Sequence, residues 1–216
     1  MDITYLGHSS FKIKTKTATI VTDPYDSDSV GFKFPKTEAD IITISHSHKD
    51  HNNLEAVFGT PFVIDMPGEY ETKGVYVFGY SSFHDPKGGE ERGRNAIYII
   101  ETEDLRIAHL GDLGAAPSTE VMEEISGVDV LMIPVGGVAT IGPKEAAELI
   151  TKIQPRIVIP MHFRTEGIGE TFKDFAPVDD FLSEMGADKP EVLDKLFLSK
   201  DKLPGEIKVI LLERKN

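Results

Sequence analysis

Short apolar segments rich in β-branched and aromatic residues recur along the chain, and polar or turn-forming residues separate them. This pattern predicts strands joined by loops. One segment, Ile41–Ser45, is apolar almost throughout, which is typical of a strand covered on both faces. The predicted strands are Ile3–Leu6, Phe11–Lys14, Ala18–Thr22, Ile41–Ser45, Phe62–Asp65, Val75–Tyr80, Ala96–Glu101, Arg106–Leu110, Val128–Ile133, Ile157–Pro160, Lys195–Ser199 and Ile207–Leu212.

Helical periodicity is scarcer and is confined to the second half of the chain. Between Pro143 and Pro155, apolar residues recur at the spacing of one helix face. Ser118 or Thr119 can cap a second helix, and a third is predicted from Pro177 to Met185. Because strands dominate the early half and helices come late, we predict a layered α/β domain with stacked mixed sheets and helices outside.

Composition narrows the chemistry. The 216 residues, 40% of them apolar, suffice for a single domain spanning residues 1–216. A net charge of −13 disfavours nucleic-acid binding. Because the chain has no cysteine, any metal must be bound through nitrogen and oxygen. No leader pattern and no apolar run near the roughly 18–20 residues of a membrane crossing is present, so we predict a soluble, cytoplasmic protein.

The most distinctive segment is SHSHKDHNN, which follows the predicted strand Ile41–Ser45. It places His46, His48, Asp50 and His51 within six residues of a chain that has only 7 histidines. Imidazole and carboxylate are ligands that a divalent metal accepts when thiolate is absent. His46 and His48 can point the same way from an extended segment, whereas Asp50 and His51, at the predicted start of a helix, can point to a second centre. The alternative is a solvated polar loop.

Further candidates lie where other predicted strands end. His84, Asp112 and His162 each follow such a strand, and functional side chains gather there because the scaffold is rigid. Five of the seven histidines then fall into one predicted site. His8, at a Gly-His-Ser-Ser turn, either lines that site or is structural. We predict a structural role for His109, which precedes Asp112 by three positions and so points to the opposite face of a regular strand.

Seven residues resemble, in order and spacing, the ligand motifs of the metallo-β-lactamase superfamily, whose first motif is H-x-H-x-D-H. They are His46, His48, Asp50, His51, His84, Asp112 and His162. The segments TYLGHSSFKI (4–13) and VTDPY (21–25) resemble the ascorbate-phosphate lactonase-like branch of metal-dependent hydrolases, so the resemblance covers about residues 1–163. It implies a four-layer αββα sandwich of two mixed β-sheets, with the site at one edge.

The resemblance also implies a mechanism with two divalent metal ions, Zn²⁺ first, with Mn²⁺ or Fe²⁺ as alternatives. The implied ligands are His46, His48 and His84 for one ion and Asp50, His51 and His162 for the other, with Asp112 bridging them. A hydroxide held by both ions would hydrolyse a small ester, lactone or phosphorylated substrate. Asp50 would orient that hydroxide or carry a proton.

Supporting roles are less specific. Asp23 would accept the free N–H of a ligand histidine, or merely shape an Asp-Pro turn. For Arg94 and Arg164, binding of a substrate phosphate or carboxylate and a surface role remain open, whereas we assign Arg92 to surface solubility. The loop Val30–Pro35 is expected to overhang the site or to contact a partner subunit of a homo-oligomer.

Two alternatives from other functional classes stay open: a mononuclear iron dioxygenase of the same superfamily and a non-catalytic metal-binding regulatory protein. The diiron flavoprotein branch is disfavoured, because it has glutamate where this chain has His48 and needs a flavin domain. The RNA-processing branch is disfavoured by the −13 charge. Two dications would create a positive focus in an acidic protein, so we expect a small, anionic substrate and neither nucleic acid nor membrane as partner.

Overall fold

A computed structural model describes residues 1–187 and 189–215. The strands within these ranges are β1 Asp2–Gly7, β2 Ser10–Lys14, β3 Thr19–Thr22, β4 Thr37–Glu38, β5 Ile41–Thr43, β6 Val57–Phe58, β7 Phe62–Ile64, β8 Gly68–Thr72, β9 Val75–Phe83, β10 Arg94–Thr102, β11 Leu105–His109, β12 Val130–Pro134, β13 Ile157–Met161, β14 Glu191–Leu193, β15 Leu196–Phe197 and β16 Lys208–Leu212. The α-helices are α1 Ser27–Val30, α2 Thr119–Ile125, α3 Pro143–Ile153 and α4 Val178–Glu184, and short 3₁₀ turns span Leu54–Ala56, Glu170–Phe172 and Lys200–Lys202.

The strands form two large mixed sheets. The six-stranded sheet has the order β15-β1-β2-β3-β5-β7, and the eight-stranded sheet has the order β14-β16-β13-β12-β11-β10-β9-β8. In each sheet, antiparallel neighbours give way to parallel ones, at β3 and β5 in the first and at β11 and β12 in the second. A separate pair, β4 and β6, is parallel. The predicted stacked mixed sheets are therefore confirmed.

The largest apolar cluster lies between the two sheets. Phe11 and Ile41 contribute to it from the six-stranded sheet, and Tyr98 and Met132 contribute from the eight-stranded sheet. Strand β10 shows the two-residue alternation of a strand buried on both faces: Tyr98 belongs to the cluster between the sheets, whereas Ile99 belongs to the cluster under the helices. Burial on both faces explains why the central strands read as continuous apolar runs.

The outer layers differ. Helices α2, α3 and α4 cover the eight-stranded sheet, with side chains such as Ile150 and Phe181 in one cluster with Ile99. Over the six-stranded sheet, the buried cluster is completed by Val57 and Phe34, from the β4–β6 pair and a loop. The αββα architecture is confirmed, although the outer layer over the six-stranded sheet contains little helix. No helix in the described ranges is long and apolar enough to cross a membrane.

Every predicted strand overlaps an observed one, and the three predicted helices correspond to α2, α3 and α4. The strands that the pattern missed are short or polar. Strand β8, with the sequence GEYET, has no fully buried position, and β4 and β6 have two residues each. Such strands are held by their neighbours rather than by an apolar pattern of their own.

We expect Ile99→Ala to lower the free energy of unfolding by about 2–5 kcal/mol, because it would leave a cavity under the helical layer. Ile99 is 0% exposed. The matched control is Ile207→Ala, since Ile207 is 36% exposed, and its cost should stay below about 1 kcal/mol. Equilibrium urea unfolding of the three proteins measures the difference. Equal losses in the two variants would contradict this account of the packing.

Candidate metal centre

The candidate ligands follow strand ends that meet at one edge of both sheets. His84, Asp112 and His162 come just after β9, β11 and β13, which run in the same direction within the eight-stranded sheet. His46 follows β5 of the six-stranded sheet. The backbone N–H of Ala96 donates to the carbonyl of Ser45 at 2.8 Å, which joins the two sheets beside these residues.

The expectation that Asp50 and His51 start a helix was wrong. These residues form a turn, in which the N–H of His51 donates to the carbonyl of His48 at 2.9 Å. The segment contains no apolar periodicity that would anchor a helix. Instead, Asn52 and Asn53 tie the turn down through the carbonyls of Ser47 and Pro24.

The carboxylate of Asp112 is the centre of the cluster. Its Oδ2 lies 3.1 Å from Nε2 of His162, 3.2 Å from Nε2 of His51, 3.4 Å from Nε2 of His84 and 3.8 Å from Nε2 of His46. Asp112 itself is 1% exposed. One buried carboxylate oxygen is thus shared by four imidazoles from both sheets.

The ligand atoms form three overlapping groups within which all of them lie within 4.8 Å of one another. The groups are His46, His48 and His84; His46, His51 and Asp112; and His8, Asp50, His51 and His162. The first group is the set that the family resemblance implies for one ion. The third group contains the set assigned to the other ion, with His8 added. All seven sequence-predicted ligands are therefore brought together.

The cluster fits a divalent cation. Nε2 of His46, His51 and His162 and Oδ1 of Asp112 are buried and have no hydrogen-bond partner among the described residues. Buried polar atoms without a partner are costly, and native proteins rarely leave them so. Imidazole nitrogen and carboxylate oxygen are the donors that zinc and similar ions accept.

Burial and charge set the protonation of the cluster. Burial lowers the pKa of His46 to about 3 and that of His8 to about 4, so both rings are neutral near pH 7. Burial works to raise the pKa of Asp112, but His162 and His51 outweigh it and hold that pKa well below its usual range. For His51, burial acts to lower the pKa, yet Asp112 and Asp50 raise it. The anionic carboxylate of Asp112, beside the neutral ring of His46, attracts a cation.

Asp23 supports His51 from behind. Its Oδ1 accepts from the backbone N–H of Ser45 at 2.7 Å, and its Oδ2 accepts from Ser45 Oγ at 2.6 Å and lies 3.0 Å from Nδ1 of His51. A carboxylate on Nδ1 leaves the lone pair of Nε2 facing Asp112, which is the arrangement of metal-binding histidines. Sequence reasoning missed Ser45, whose hydroxyl and N–H hold Asp23 in place.

His8 connects the first turn of the chain to His162, the last candidate ligand along the chain. Its Nε2 lies 3.1 Å from Asp50 Oδ2, and its carbonyl accepts from the N–H of His162 at 2.9 Å. His8, Asp23 and His162 have φ of 56°, 39° and 55°, in the left-handed region that non-glycine residues rarely adopt. Such strain clusters at functional sites, where the surrounding contacts enforce it. His109, by contrast, is buried against the carbonyl of Ser9 and belongs to none of the three groups.

Of the three arginines considered as substrate-binding residues, only Arg92 lies beside the candidate metal centre. A cavity of about 340 Å³ lies over the cluster, and among the described residues lining it Arg92 is the only arginine or lysine. Arg94 is outside this lining, at the start of β10. Arg164 donates from Nη1 to the carbonyl of Lys173 at 3.3 Å, so its side chain holds the loop that follows it along the chain. Arg92, which we assigned to surface solubility, is indeed exposed, and it also borders this cavity.

Asp85 explains why Arg92 reaches the cavity. This carboxylate is 2% exposed and accepts four backbone N–H groups, those of Lys87, Gly89, Glu91 and Arg92, at 2.8–3.1 Å. It thereby folds the long polar loop back toward His84. The sequence carries little signal for this role, because the four donors come from residues of unrelated type.

The loop Val30–Pro35 packs beside the site on its own chain. Phe32 and Phe34 contact Tyr25, with ring centroids 5.6 Å and 4.8 Å away, and Arg214 lies 3.8 Å over the Phe32 ring. Val30 is buried with Phe172, which lines the cavity. The apolar residues of the loop thus have partners within the chain.

Comparisons with known proteins agree with this geometry. A family profile described as the beta-lactamase superfamily domain matches residues 2–162. A UPF0173 metal-dependent hydrolase of Thermococcus onnurineus is 28% identical, over 88% of this chain and 94% of its own. A UPF0173 protein of Pyrococcus abyssi is 32% identical, over 80% of this chain and 89% of its own.

Among solved structures, one from Thermotoga maritima is similar over nearly the whole chain. That protein is assigned as a Zn-dependent hydrolase of the metallo-beta-lactamase superfamily. Its structure matches with a TM-score of 0.82 and 38% sequence identity, and the match covers 99% of both chains.

We expect Asp23→Asn to weaken metal binding by about 10–100-fold, because the amide nitrogen would turn toward Nδ1 of His51 and favour the tautomer with a proton on Nε2. A competition titration against a chelator measures this affinity. The matched control is Asp129→Asn, which changes an aspartate that is 5% exposed and bonds Arg106 and Lys200 outside the cluster. An unchanged affinity in Asp23→Asn, or an equal loss in both variants, would contradict the role of Asp23.

Proposed function

The chain belongs to the metallo-β-lactamase superfamily, and we propose that it is a hydrolase dependent on two divalent metal ions, Zn²⁺ first among them. The observation that carries the proposal is the convergence of four imidazoles on one buried oxygen of Asp112. The description of the Thermococcus onnurineus relative as a metal-dependent hydrolase supports the reaction class. The assignment of the Thermotoga maritima protein supports zinc.

The ligand groups suggest how the ions are divided. His46, His48 and His84 would hold one ion, Asp50, His51 and His162 would hold the other, and Asp112 would contact both. When bound, such ions polarise a carbonyl or phosphoryl oxygen and make water a stronger nucleophile near neutral pH. No cysteine competes for the ions, since the chain has none.

Within this arrangement, Asp50 is placed to handle a proton. It lines the cavity, and its Oδ2 lies between Nε2 of His8 at 3.1 Å and Nε2 of His51 at 3.3 Å. A carboxylate held from two sides can orient an attacking water or accept its proton. Phe172 and Phe175 line the same cavity and exclude bulk water from one side.

Arg92 supports an anionic substrate. Arg92 borders the cavity over a cluster that would carry two dications, so a phosphate or carboxylate bound there would lie among positive charges. A small ester, lactone or phosphorylated compound with such a group is the substrate class that we propose. The acidic surface of the protein, with a net charge of −13, does not oppose this local attraction.

We expect protein purified without added metal to hold about two equivalents of divalent metal per chain, measured by elemental analysis.

Asp112→Asn should lower kcat/KM for metal-dependent hydrolysis by on the order of 100-fold or more, because it removes the charge shared by both ligand groups. Asp129→Asn is the control with a buried aspartate outside the site. One equivalent of iron with oxygen consumption, or no hydrolysis across a panel of esters, lactones and phosphodiesters, would overturn the proposal.

Arg92→Ala should raise KM for anionic substrates by about tenfold while leaving neutral esters nearly unchanged, because a charge-assisted hydrogen bond is lost. The matched control is Arg94→Ala, two residues away but outside the cavity lining. Steady-state kinetics with paired anionic and neutral esters separates the two variants. If both variants change KM alike, Arg92 has no specific part in binding.

A further inference from the structure

A second cavity adjoins the one over the metal centre. It has a volume of about 430 Å³ and lies between helix α3 and the loop that follows β11. Val138 lines both cavities. Gly114, in the wall of the second cavity, packs so closely on His84 that a Cβ there would lie 2.2 Å from the carbonyl carbon of His84. The second cavity therefore begins directly behind a candidate metal ligand.

The chemistry of its walls is amphipathic. The apolar residues lining it are Pro86, Ala115, Ala116, Val138, Ile141 and Leu149. The charged residues are Glu145, Glu148 and Lys152, all on the exposed side of α3. The volume lies within the roughly 300–1,000 Å³ of small-molecule sites. The apolar floor suits an uncharged aliphatic group, and the two carboxylates outnumber the one ammonium group beside it, which disfavours an anionic one.

Val138 is held between the two cavities at a conformational cost. It is β-branched, has φ of 60° and is 66% exposed, so no core packing rewards this backbone conformation. The loop is fixed by hydrogen bonds from Gly137 N to the carbonyl of Ile141 and from Ile141 N to the carbonyl of Leu113. These bonds place an apolar side chain at the junction of the cavities, where a ligand extending from one to the other would contact it.

We propose that this second cavity, the side pocket, binds an uncharged acyl or alkyl tail of the substrate, while the reacting group of the same molecule lies over the metal centre. The inference rests on the proposed hydrolase function and narrows its substrate class to amphiphilic esters, lactones or phosphorylated compounds. Continuity through Val138 and the apolar walls favour the tail. The carboxylates of Glu145 and Glu148 outnumber the single ammonium group of Lys152, which disfavours a second anionic end.

Calorimetric titration of the zinc-loaded protein with two hydroxamic acids tests the proposal. Acetohydroxamate reaches only the metal centre, whereas hexanohydroxamate adds four methylenes and should bind about tenfold more tightly or better. Ala116→Trp, at an exposed position of the side pocket, should abolish this advantage and leave acetohydroxamate binding unchanged. Val192→Trp, at a 54% exposed position outside both cavities, is the matched control and should keep it. Equal affinities of the wild-type protein for the two acids would contradict the proposal that the side pocket binds the substrate tail.

A second measurement separates this proposal from the proposed function. Addition of 1-hexanol, which has no metal-binding group, should shift the amide resonances of Ala115, Val138 and Leu149 in the ¹H–¹⁵N spectrum, and Ala116→Trp should suppress the shifts. Shifts confined to residues outside the side pocket, or shifts that persist in Ala116→Trp, would contradict the proposal that the side pocket binds an alkyl group. Failure of acetohydroxamate to bind in a zinc-dependent way would instead count against the metal-dependent function, while the hexanol result still decides on the pocket.

Discussion

The structure depends on one buried negative charge, the carboxylate of Asp112 among the imidazoles of His46, His51, His84 and His162. A charge removed from water must be compensated nearby, or it destabilises the fold. The surrounding rings follow the ends of strands in both sheets, so these strand ends must lie together at one edge of the stacked sheets. The left-handed backbone at His8, Asp23 and His162 is the local cost of bringing those loops together.

Three aspartates divide the work around this centre. Asp112 lies between the candidate ligands, Asp23 fixes the ring of His51 through Nδ1, and Asp85 gathers four backbone N–H groups of the loop that carries Arg92. The last two are nearly or fully inaccessible and are satisfied by hydrogen bonds, as buried carboxylates must be. The chemistry of the exposed cavity is therefore positioned by anions that a substrate does not touch.

The strands, the helices and the clustering of the candidate ligands were predictable because their signals are local. A periodic apolar pattern identifies α3, and histidines directly after apolar runs identify His84 and His162. Contacts that join distant segments were not predictable. Nothing near Arg92 distinguishes it from Arg94, since the difference arises from the fold of the loop around Asp85, and the start of a helix expected at Asp50 gave way to a turn fixed by Pro24 and Ser47. The side pocket likewise depends on α3 lying beside the loop after β11, which no local pattern encodes.

The hydrogen bond from His162 N to the carbonyl of His8 joins two residues that are far apart in the sequence. The site therefore forms only after most of the chain has been synthesised. During synthesis, the segment from His46 to His51 emerges early, but His162 follows β13, which must pair with β12 and later with β16. The full set of candidate ligands exists only when these strands are folded, so its preference for a metal is a property of the tertiary structure and not of the segment from His46 to His51 alone.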